Sequence, residues 1–201
     1  MSSYVIGLTG GIACGKSNLS NALRNAGAKV IDADEISRSL TAPGGQALPA
    51  IRSAFGDSVF RGDQLDRKAL GSLVFSNPSA LLKLNSITHP LIFQRMKEEM
   101  DAYSGPVVLD VPLLFETGLD AWCDEIWCAY IPQKEQIKRL RARDHLTWKA
   151  ALQRIHAQMP SIEKKRRSDQ IIHTIGSKEE SAAIVISLWN DIVKKCRNAK
   201  E

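Results

Sequence analysis

The sequence predicts an α/β fold: a parallel five-stranded sheet with helices on both faces. Short apolar segments rich in β-branched residues recur along the chain, and stretches of helical periodicity separate them. The first two such segments, residues 4–9 and 29–32, enclose a glycine-rich turn and an amphipathic helix. Strand, loop, helix and strand in this order form a βαβ unit, in which the two strands run parallel.

The helix of this first unit is predicted over residues 16–26. Its apolar or small residues recur at the i, i+3, i+4 and i+7 spacing of one helix face, from Leu19 to Ala26. Gly27 then supplies a natural C-terminal stop for the helix.

Residues 35–104 show helical periodicity without a convincing strand, and we interpret them as a helical insertion. Breaks in the pattern include Asn77-Pro78 and His89-Pro90. Strand signals return beyond the insertion and complete the five strands, at residues 106–111, 125–131 and 170–173. Further helices are predicted at residues 134–143, 147–158 and 178–197.

Length and composition favour one globular domain. The chain has 201 residues, 44% of them hydrophobic and 24% charged, which is typical of a folded domain rather than a disordered chain. The longest apolar run, residues 107–115, is too short for a membrane span. The N-terminus lacks the basic region of a signal peptide, and four cysteines without paired spacing suit a reducing compartment. We therefore expect a cytoplasmic protein without a membrane partner.

Positive charge is concentrated in the C-terminal third. Residues 1–133 carry 11 Lys and Arg against 14 Asp and Glu, whereas residues 134–201 carry 16 against 8. Such a field attracts nucleic acid, acidic lipid or the phosphates of a small ligand, and charge alone does not choose among them. The tryptophans are scattered rather than interleaved with basic residues, which argues against nucleic acid as a partner.

The decisive feature is a glycine-rich loop between the first predicted strand and helix. It matches the phosphate-binding pattern GxxxxGK[ST] with Gly10, Gly11, Ile12, Ala13, Cys14, Gly15, Lys16 and Ser17. Glycines let successive backbone N–H groups face one centre, and the helix N-terminus adds partial positive charge. We expect Lys16 to reach the β- and γ-phosphates of ATP and the Ser17 hydroxyl to ligate Mg²⁺.

A second magnesium ligand is expected at the end of a neighbouring strand. Asp110 closes the apolar segment 107–109 and fits this position. The alternative is a carboxylate that only caps the following turn.

Among proteins with such a loop, small-molecule kinases fit this chain best. It has no NKxD-like motif with which a GTPase would read its base, and it is too short for the coupling machinery of a large ATPase.

Several segments along the chain have a specific order and spacing. These segments are residues 8–12, 15–17, 30–34 with Arg38, 89–92, 109–116, 136–144, Arg154 with Gln158, and 168–172 with Gly176. In their order and spacing, the sequence resembles the dephospho-coenzyme A kinase family through nearly its whole length, because other P-loop kinases keep the loop and lose the rest.

The resemblance implies transfer of the γ-phosphoryl group of ATP to the ribose 3′-hydroxyl of dephospho-coenzyme A, which gives coenzyme A and ADP. It implies a single domain with an acceptor-binding insertion at residues 35–104 and a lid at residues 143–167. The core is then formed by residues 1–34, 105–142 and 168–201. The expected partners are the two small-molecule substrates, bound by a monomer or a small homo-oligomer.

On the acceptor side, the resemblance assigns the activation of the hydroxyl to Asp34. A carboxylate can orient a hydroxyl and take its proton, and Asp34 follows the second strand at the sheet edge where α/β proteins bind ligands. Asp32 is either a strand-end hydrogen-bond partner or a supporting residue. The further acceptor-binding candidates are Arg38, His89, Pro112, Leu114 and Phe115.

Each of these candidates has a structural alternative. Arg38 can be an exposed helix arginine, and His89, before Pro90, can be the N-terminal cap of a helix. Leu114 and Phe115 can be ordinary core residues.

On the ATP side, Arg139 and Arg143 stand at i and i+4 on one helix face and can converge on one anion. By resemblance they neutralise charge that develops during transfer; solvated arginines are the alternative. With the loop and Asn18 they complete the predicted ATP site. The predicted catalytic residues are Lys16, Asp34 and Arg143.

The chain departs from the usual family residues around the ATP site. Ala13 and Cys14 replace Gly-Ser, and Asn18 replaces Thr. Ala13 is compatible if it avoids a positive φ angle. Cys14 lies near a helix N-terminus and Lys16, so we expect a favoured thiolate whose oxidation blocks ATP binding. Thr174 replaces a usual Asn, which leaves the adenine contacts open.

Two other functions stay open on the sequence alone. Another small-molecule P-loop kinase, acting on a nucleoside monophosphate or a metabolite alcohol, would share the ATP site and differ in its acceptor. A nucleotide-dependent RNA or DNA binder would show steeply salt-dependent affinity.

Overall fold

The computed structural model of the protein describes residues 4–198. The strands are β1 (Val5–Gly10), β2 (Lys29–Asp32), β3 (Phe60–Arg61), β4 (Gln64–Leu65), β5 (Val107–Asp110), β6 (Glu125–Tyr130) and β7 (Gln170–His173). The helices are α1 (Lys16–Asn25), α2 (Ala33–Leu40), α3 (Leu48–Phe55), α4 (Arg67–Ser76), α5 (Pro78–Asp101), α6 (Gln133–Asp144), α7 (Trp148–His156), α8 (Ser161–Arg166) and α9 (Lys178–Asn198).

The central sheet has five strands in the order β2-β5-β1-β6-β7. Strand β1 runs parallel to both neighbours, with Leu8 opposite Asp110 of β5 and Gly10 opposite Ala129 of β6. All six residues of β1 are buried, as expected for a central parallel strand that is covered on both faces. The predicted α/β fold is confirmed.

The two faces of the sheet are covered by different parts of the chain. Ile6 and Leu8 pack in a cluster with Trp127 and with apolar residues of α1 and α9. Gly7 points to the opposite face, where an added Cβ atom would lie 2.8 Å from the Leu114 side chain. Helix α8 packs on β1 and β6. No helix within residues 4–198 is long and apolar enough to cross a membrane.

The described chain divides into two compact units. One contains the sheet and comprises the described residues up to Ile31 and from Tyr103 onward; the other is Asp32–Ala102. Within the second unit, helix α5 packs against α2, α3 and α4. This unit nearly coincides with the predicted insertion.

The prediction of an insertion without strands is wrong in one place. Strands β3 and β4 form an antiparallel hairpin of two residues each, too short to produce an alternating pattern. Arg52 stabilises it by donating to the Gly62 carbonyl and by placing its guanidinium group 4.3 Å from the centre of the Phe60 ring. The hairpin therefore depends on a side chain from another element.

The expected helix break at His89-Pro90 is also absent. Helix α5 runs through Pro90, and its N-terminal cap is Asn77, whose side chain accepts from the amides of Ser79 and Ala80. A proline inside a helix removes one backbone hydrogen bond. Burial of Met96 beyond it keeps the helix packed. His89 is thus a mid-helix residue, and its predicted role as an N-terminal cap is wrong.

Candidate active site

The phosphate-binding loop connects the end of β1 at Gly10 to the start of α1 at Lys16. Gly15 has a φ angle of 85° and precedes the helix in the left-handed conformation, which glycine adopts readily. It has no side chain to cap the helix, so the start of α1 is open to an anion. The loop thus has the backbone arrangement that phosphate binding needs.

Ala13 has a φ angle of 62°, so the condition for an unstrained alanine in the loop is not met. The left-handed region costs a residue with a Cβ atom about 1–2 kcal/mol. The rest of the loop must therefore hold Ala13 in this conformation.

Lys16 forms an ion pair with Asp110. Its ammonium group contacts the carboxylate directly, and the Asp110 side chain is only 2% exposed. Because β5 lies beside β1, its carboxyl end places this acid next to the loop. The structure thus brings together the two residues that were predicted to serve the phosphates and the metal.

Cys14 does not have the favoured thiolate that was predicted for it. Its side chain is 1% exposed, and burial raises the pKa of the thiol more strongly than nearby Lys16 lowers it. A buried neutral thiol is neither nucleophilic nor accessible to peroxide. The prediction that oxidation of Cys14 blocks ATP binding is therefore wrong.

Thr174 supports the loop from the end of β7. Its hydroxyl donates to the Cys14 carbonyl, and Arg139 donates to the Thr174 carbonyl. An added Cβ atom on Gly15 would lie 3.5 Å from Thr174 and 3.6 Å from the Arg139 guanidinium. Arg139 therefore lies beside the loop, as expected of an ATP-site residue.

Arg143 does not join Arg139. Its Nε donates to Asp144 over 2.7 Å, and Arg154 donates to the other oxygen of the same carboxylate over 2.8 Å. These hydrogen bonds, chiefly the one from Arg143, lower the pKa of Asp144. The predicted convergence of the two arginines on one anion is absent here, because Asp144 competes for Arg143.

The segment after β5 is held by packing and by hydrogen bonds. Leu114 and Phe115 are buried, which supports the core-packing alternative for both. The Pro112 carbonyl accepts from the Thr9 hydroxyl over 3.2 Å and from the ammonium group of Lys164.

Within the second unit, Asp32 is the N-terminal cap of α2. Its carboxylate accepts from the amides of Asp34 and Glu35 over 2.8 and 3.0 Å, which supports the hydrogen-bonding alternative for Asp32. Asp34 lies in the first turn of α2 with an exposed side chain, and Arg38 is exposed in the last turn.

His89 is half-buried on α5, with its ring centre 5.5 Å from that of Phe93. Burial lowers the pKa of its imidazole. The lower pKa favours the neutral imidazole, which can donate or accept a hydrogen bond.

Sequence reasoning missed several polar residues near the loop. Gln136 and Gln158 bond to the backbone of Ile12, although both stand in segments that carried the family resemblance. Lys164 was counted among the basic residues of the lid, but its side chain is fully buried and paired with Glu116. Nothing in the local pattern distinguishes Lys164 from its solvated neighbours.

A family model described as dephospho-CoA kinase matches residues 4–180. The chain belongs to the dephospho-CoA kinase family. A curated dephospho-CoA kinase of Carboxydothermus hydrogenoformans is 41% identical over 201 residues, which cover 95% of this chain and 98% of that protein.

Solved structures agree with this family assignment. A Thermus thermophilus crystal structure has a TM-score of 0.82 and 31% identity, covering 96% of this chain and 99% of the other. A dephospho-CoA kinase from Campylobacter jejuni has a TM-score of 0.66 and 26% identity, covering 96% and 100%.

Proposed function

We propose that this protein transfers the γ-phosphoryl group of ATP to the ribose 3′-hydroxyl of dephospho-coenzyme A, the last step of coenzyme A synthesis. The observation that carries the proposal is the loop from Gly10 to Ser17, which lies between β1 and α1 and in which Lys16 forms an ion pair with Asp110. The chain that contains this loop matches the dephospho-CoA kinase model over residues 4–180. The cytoplasm is the proposed location.

The triphosphate is assigned to the loop and to the start of α1. Backbone N–H groups of Ala13, Gly15, Lys16 and Ser17 bind phosphate oxygens, and the Lys16 side chain binds the β- and γ-phosphates. Asn18 and Arg139 complete the ATP site. Arg143 is assigned to charge neutralisation during transfer, which requires it to leave Asp144.

Ser17 and Asp110 fit a magnesium ion. A hydroxyl and a carboxylate are the hard oxygen ligands that Mg²⁺ prefers, and Asp110 already holds a cation, the ammonium group of Lys16. When bound, Mg²⁺ neutralises charge on the β- and γ-phosphate oxygens.

Asp34 is assigned to the acceptor hydroxyl. Its carboxylate orients the 3′-hydroxyl and takes the proton as the new O–P bond forms and the bond from the γ-phosphorus to the bridging oxygen breaks. ADP is the leaving group. Arg38, His89 and Pro112 are assigned to acceptor binding, with residues 35–104 as the acceptor-binding insertion and residues 143–167 as the lid.

The test is a mass-spectrometric assay with Mg-ATP and dephospho-coenzyme A. We expect an ATP-dependent gain of one phosphate on the acceptor, lost in Lys16→Ala and in Asp34→Asn. Glu35→Gln, next to Asp34 and also exposed, is the control and should retain activity. If ATP binds but the acceptor gains no phosphate, the substrate assignment is wrong, and nucleoside monophosphates and metabolite alcohols are assayed next.

A further inference from the structure

Both backbone polar groups of Ile12, in the middle of the phosphate-binding loop, are bonded to glutamine side chains. The Ile12 N–H donates to Oε1 of Gln158 over 3.0 Å. The Ile12 carbonyl accepts from Nε2 of Gln136 over 2.8 Å. Gln136 lies on α6, whereas Gln158 lies just after α7 in the predicted lid.

The orientation of Gln136 is set by a third side chain. The Ser161 hydroxyl, at the start of α8, donates to Oε1 of Gln136 over 2.9 Å, which leaves Nε2 to face Ile12. Gln136 is 1% exposed, so its amide is shielded from solvent. In this orientation both polar atoms of the Gln136 amide are hydrogen-bonded, and the side chain holds the loop.

Gly11 makes this close approach possible. A Cβ atom there would lie 2.2 Å from the Ser161 hydroxyl oxygen and 2.5 Å from Nε2 of Gln136. Either distance is a severe overlap, so a larger residue would displace both groups. Gly11 thus packs closely against Gln136 and Ser161, and Gln158 bonds to the adjacent Ile12.

This contact adjoins the strained turn at Ala13. The Cys14 amide bonds back to the Gly11 carbonyl over 3.2 Å, and the Cys14 carbonyl is held by Thr174. Ala13 therefore has fixed backbone groups on both sides. An unsupported loop could relax its φ of 62° and turn its N–H groups away from a common centre.

We propose that Gln136 and Gln158 are positioning residues of the ATP site. By holding the Ile12 peptide groups, they keep the Ala13 turn in the conformation that presents successive N–H groups to the triphosphate. Because Gln158 belongs to the predicted lid, the bond also couples the part of the lid that follows α7 to the loop. The inference rests on the proposed ATP site, but not on the identity of the acceptor.

The test measures binding of AMP-PNP, a non-hydrolysable ATP analogue, by calorimetry without acceptor. Gln136→Glu and Gln158→Glu are a matched pair, since each adds one negative charge close to the same peptide. An ionised glutamate keeps the acceptor that the Ile12 N–H needs from residue 158, but lacks the donor that the Ile12 carbonyl needs from residue 136. We expect the Kd of Gln136→Glu to exceed that of Gln158→Glu by about tenfold.

Neutral variants separate charge from hydrogen bonding. Gln158→Met keeps the side-chain length and loses the acceptor, so its Kd should rise about fivefold to tenfold. The exposed Gln153 of α7 provides the control, and Gln153→Met should bind like the unaltered protein. In the complete reaction we expect Gln158→Met to raise the KM for ATP and to leave the KM for dephospho-coenzyme A unchanged. A role in stability alone would not separate the two KM values in this way.

Equal Kd values for the two glutamate variants, together with unchanged binding by Gln158→Met, would overturn the inference. If Gln136→Glu does not fold, Gln158→Met against Gln158→Glu decides the question, because Gln158 is only half-buried. If the unaltered protein binds no AMP-PNP, the proposed ATP site itself fails.

Discussion

The ammonium group of Lys164 lies 2.9 Å from the Glu116 carboxylate and is fully removed from solvent. Glu116 also accepts from the Met159 amide over 2.8 Å. Two points of the predicted lid are thus bonded to the segment that follows β5. Since Lys164 has no exposed surface, this part of the predicted lid is anchored to the core.

The first prediction concerns this anchor. Lys164→Met should lower the free energy of unfolding by about 2–3 kcal/mol, because it leaves Glu116 and the Pro112 carbonyl without their shared donor. Urea unfolding measures the change. Lys149→Met, on the exposed surface of α7, should shift stability by less than about 0.5 kcal/mol. Equal effects of the two substitutions would show that the buried Lys164–Glu116 pair contributes no more to the free energy of unfolding than an exposed lysine.

The second prediction separates the two roles of Asp110. Asp110→Asn removes the partner of Lys16 and a negative charge near the phosphates, so ATP without Mg²⁺ should bind as tightly as before or more tightly. With Mg²⁺, phosphoryl transfer should fall about 100-fold, because a metal ligand is lost. Calorimetry and a kinase assay measure the two effects. Asp120→Asn, which breaks a pair with Arg167 instead, is the control, and weaker metal-free binding by Asp110→Asn would contradict the assignment.

The third prediction follows from the backbone of Ala13. Ala13→Gly should stabilise the protein by about 0.5 kcal/mol, because glycine adopts a φ of 62° without strain, less the added entropy of the unfolded chain. The same substitution at the exposed helical Ala142 should destabilise by about 1 kcal/mol. Denaturant midpoints distinguish the two, and destabilisation at both positions would mean that Ala13 is not strained.

The fourth prediction uses the buried thiol of Cys128, on β6. Burial is the main cause that raises its pKa from 9.0 to about 12. Above pH 9 the unfolded chain releases this proton while the folded protein keeps it, so the stabilisation is complete below pH 9 and is lost as the pH rises towards 12.

The measurement is the free energy of unfolding between pH 9 and 11. In Cys128→Ala the decline should be shallower than in the unaltered protein, by up to about 1.4 kcal/mol per pH unit. Cys196→Ala, at a half-buried site on α9, is compared over the same range. Parallel slopes for the unaltered protein and Cys128→Ala would contradict the prediction.

Local sequence patterns were sufficient to predict the fold class and the phosphate-binding loop. The loop motif is contiguous, and strands such as β1 are apolar throughout, so their chemistry is visible in a few neighbouring residues. The placement of Asp110 followed from the same logic, since the carboxyl ends of adjacent parallel strands share one edge of the sheet. The family resemblance then supplied the acceptor, which the loop alone does not specify.

Features that depend on particular side-chain contacts or on tertiary packing were not predictable. The β3–β4 hairpin is stabilised by Arg52, and α5 continues through Pro90 because tertiary packing outweighs one lost hydrogen bond. Arg143 was expected beside Arg139 from helical spacing, but spacing does not reveal that Asp144 binds its guanidinium group.

The sequence by itself determined the parallel α/β sheet, the phosphate-binding loop and the family, because each is recorded in short-range patterns or in their order. Tertiary structure decided the positive φ of Ala13, the burial of Cys14 and Lys164, and the bonds from Gln136 and Gln158 to Ile12. These depend on the free energy of contacts between residues 48 or more positions apart, or on burial by such contacts. Such contacts form only when the whole chain is folded, so no local window of the sequence contains them.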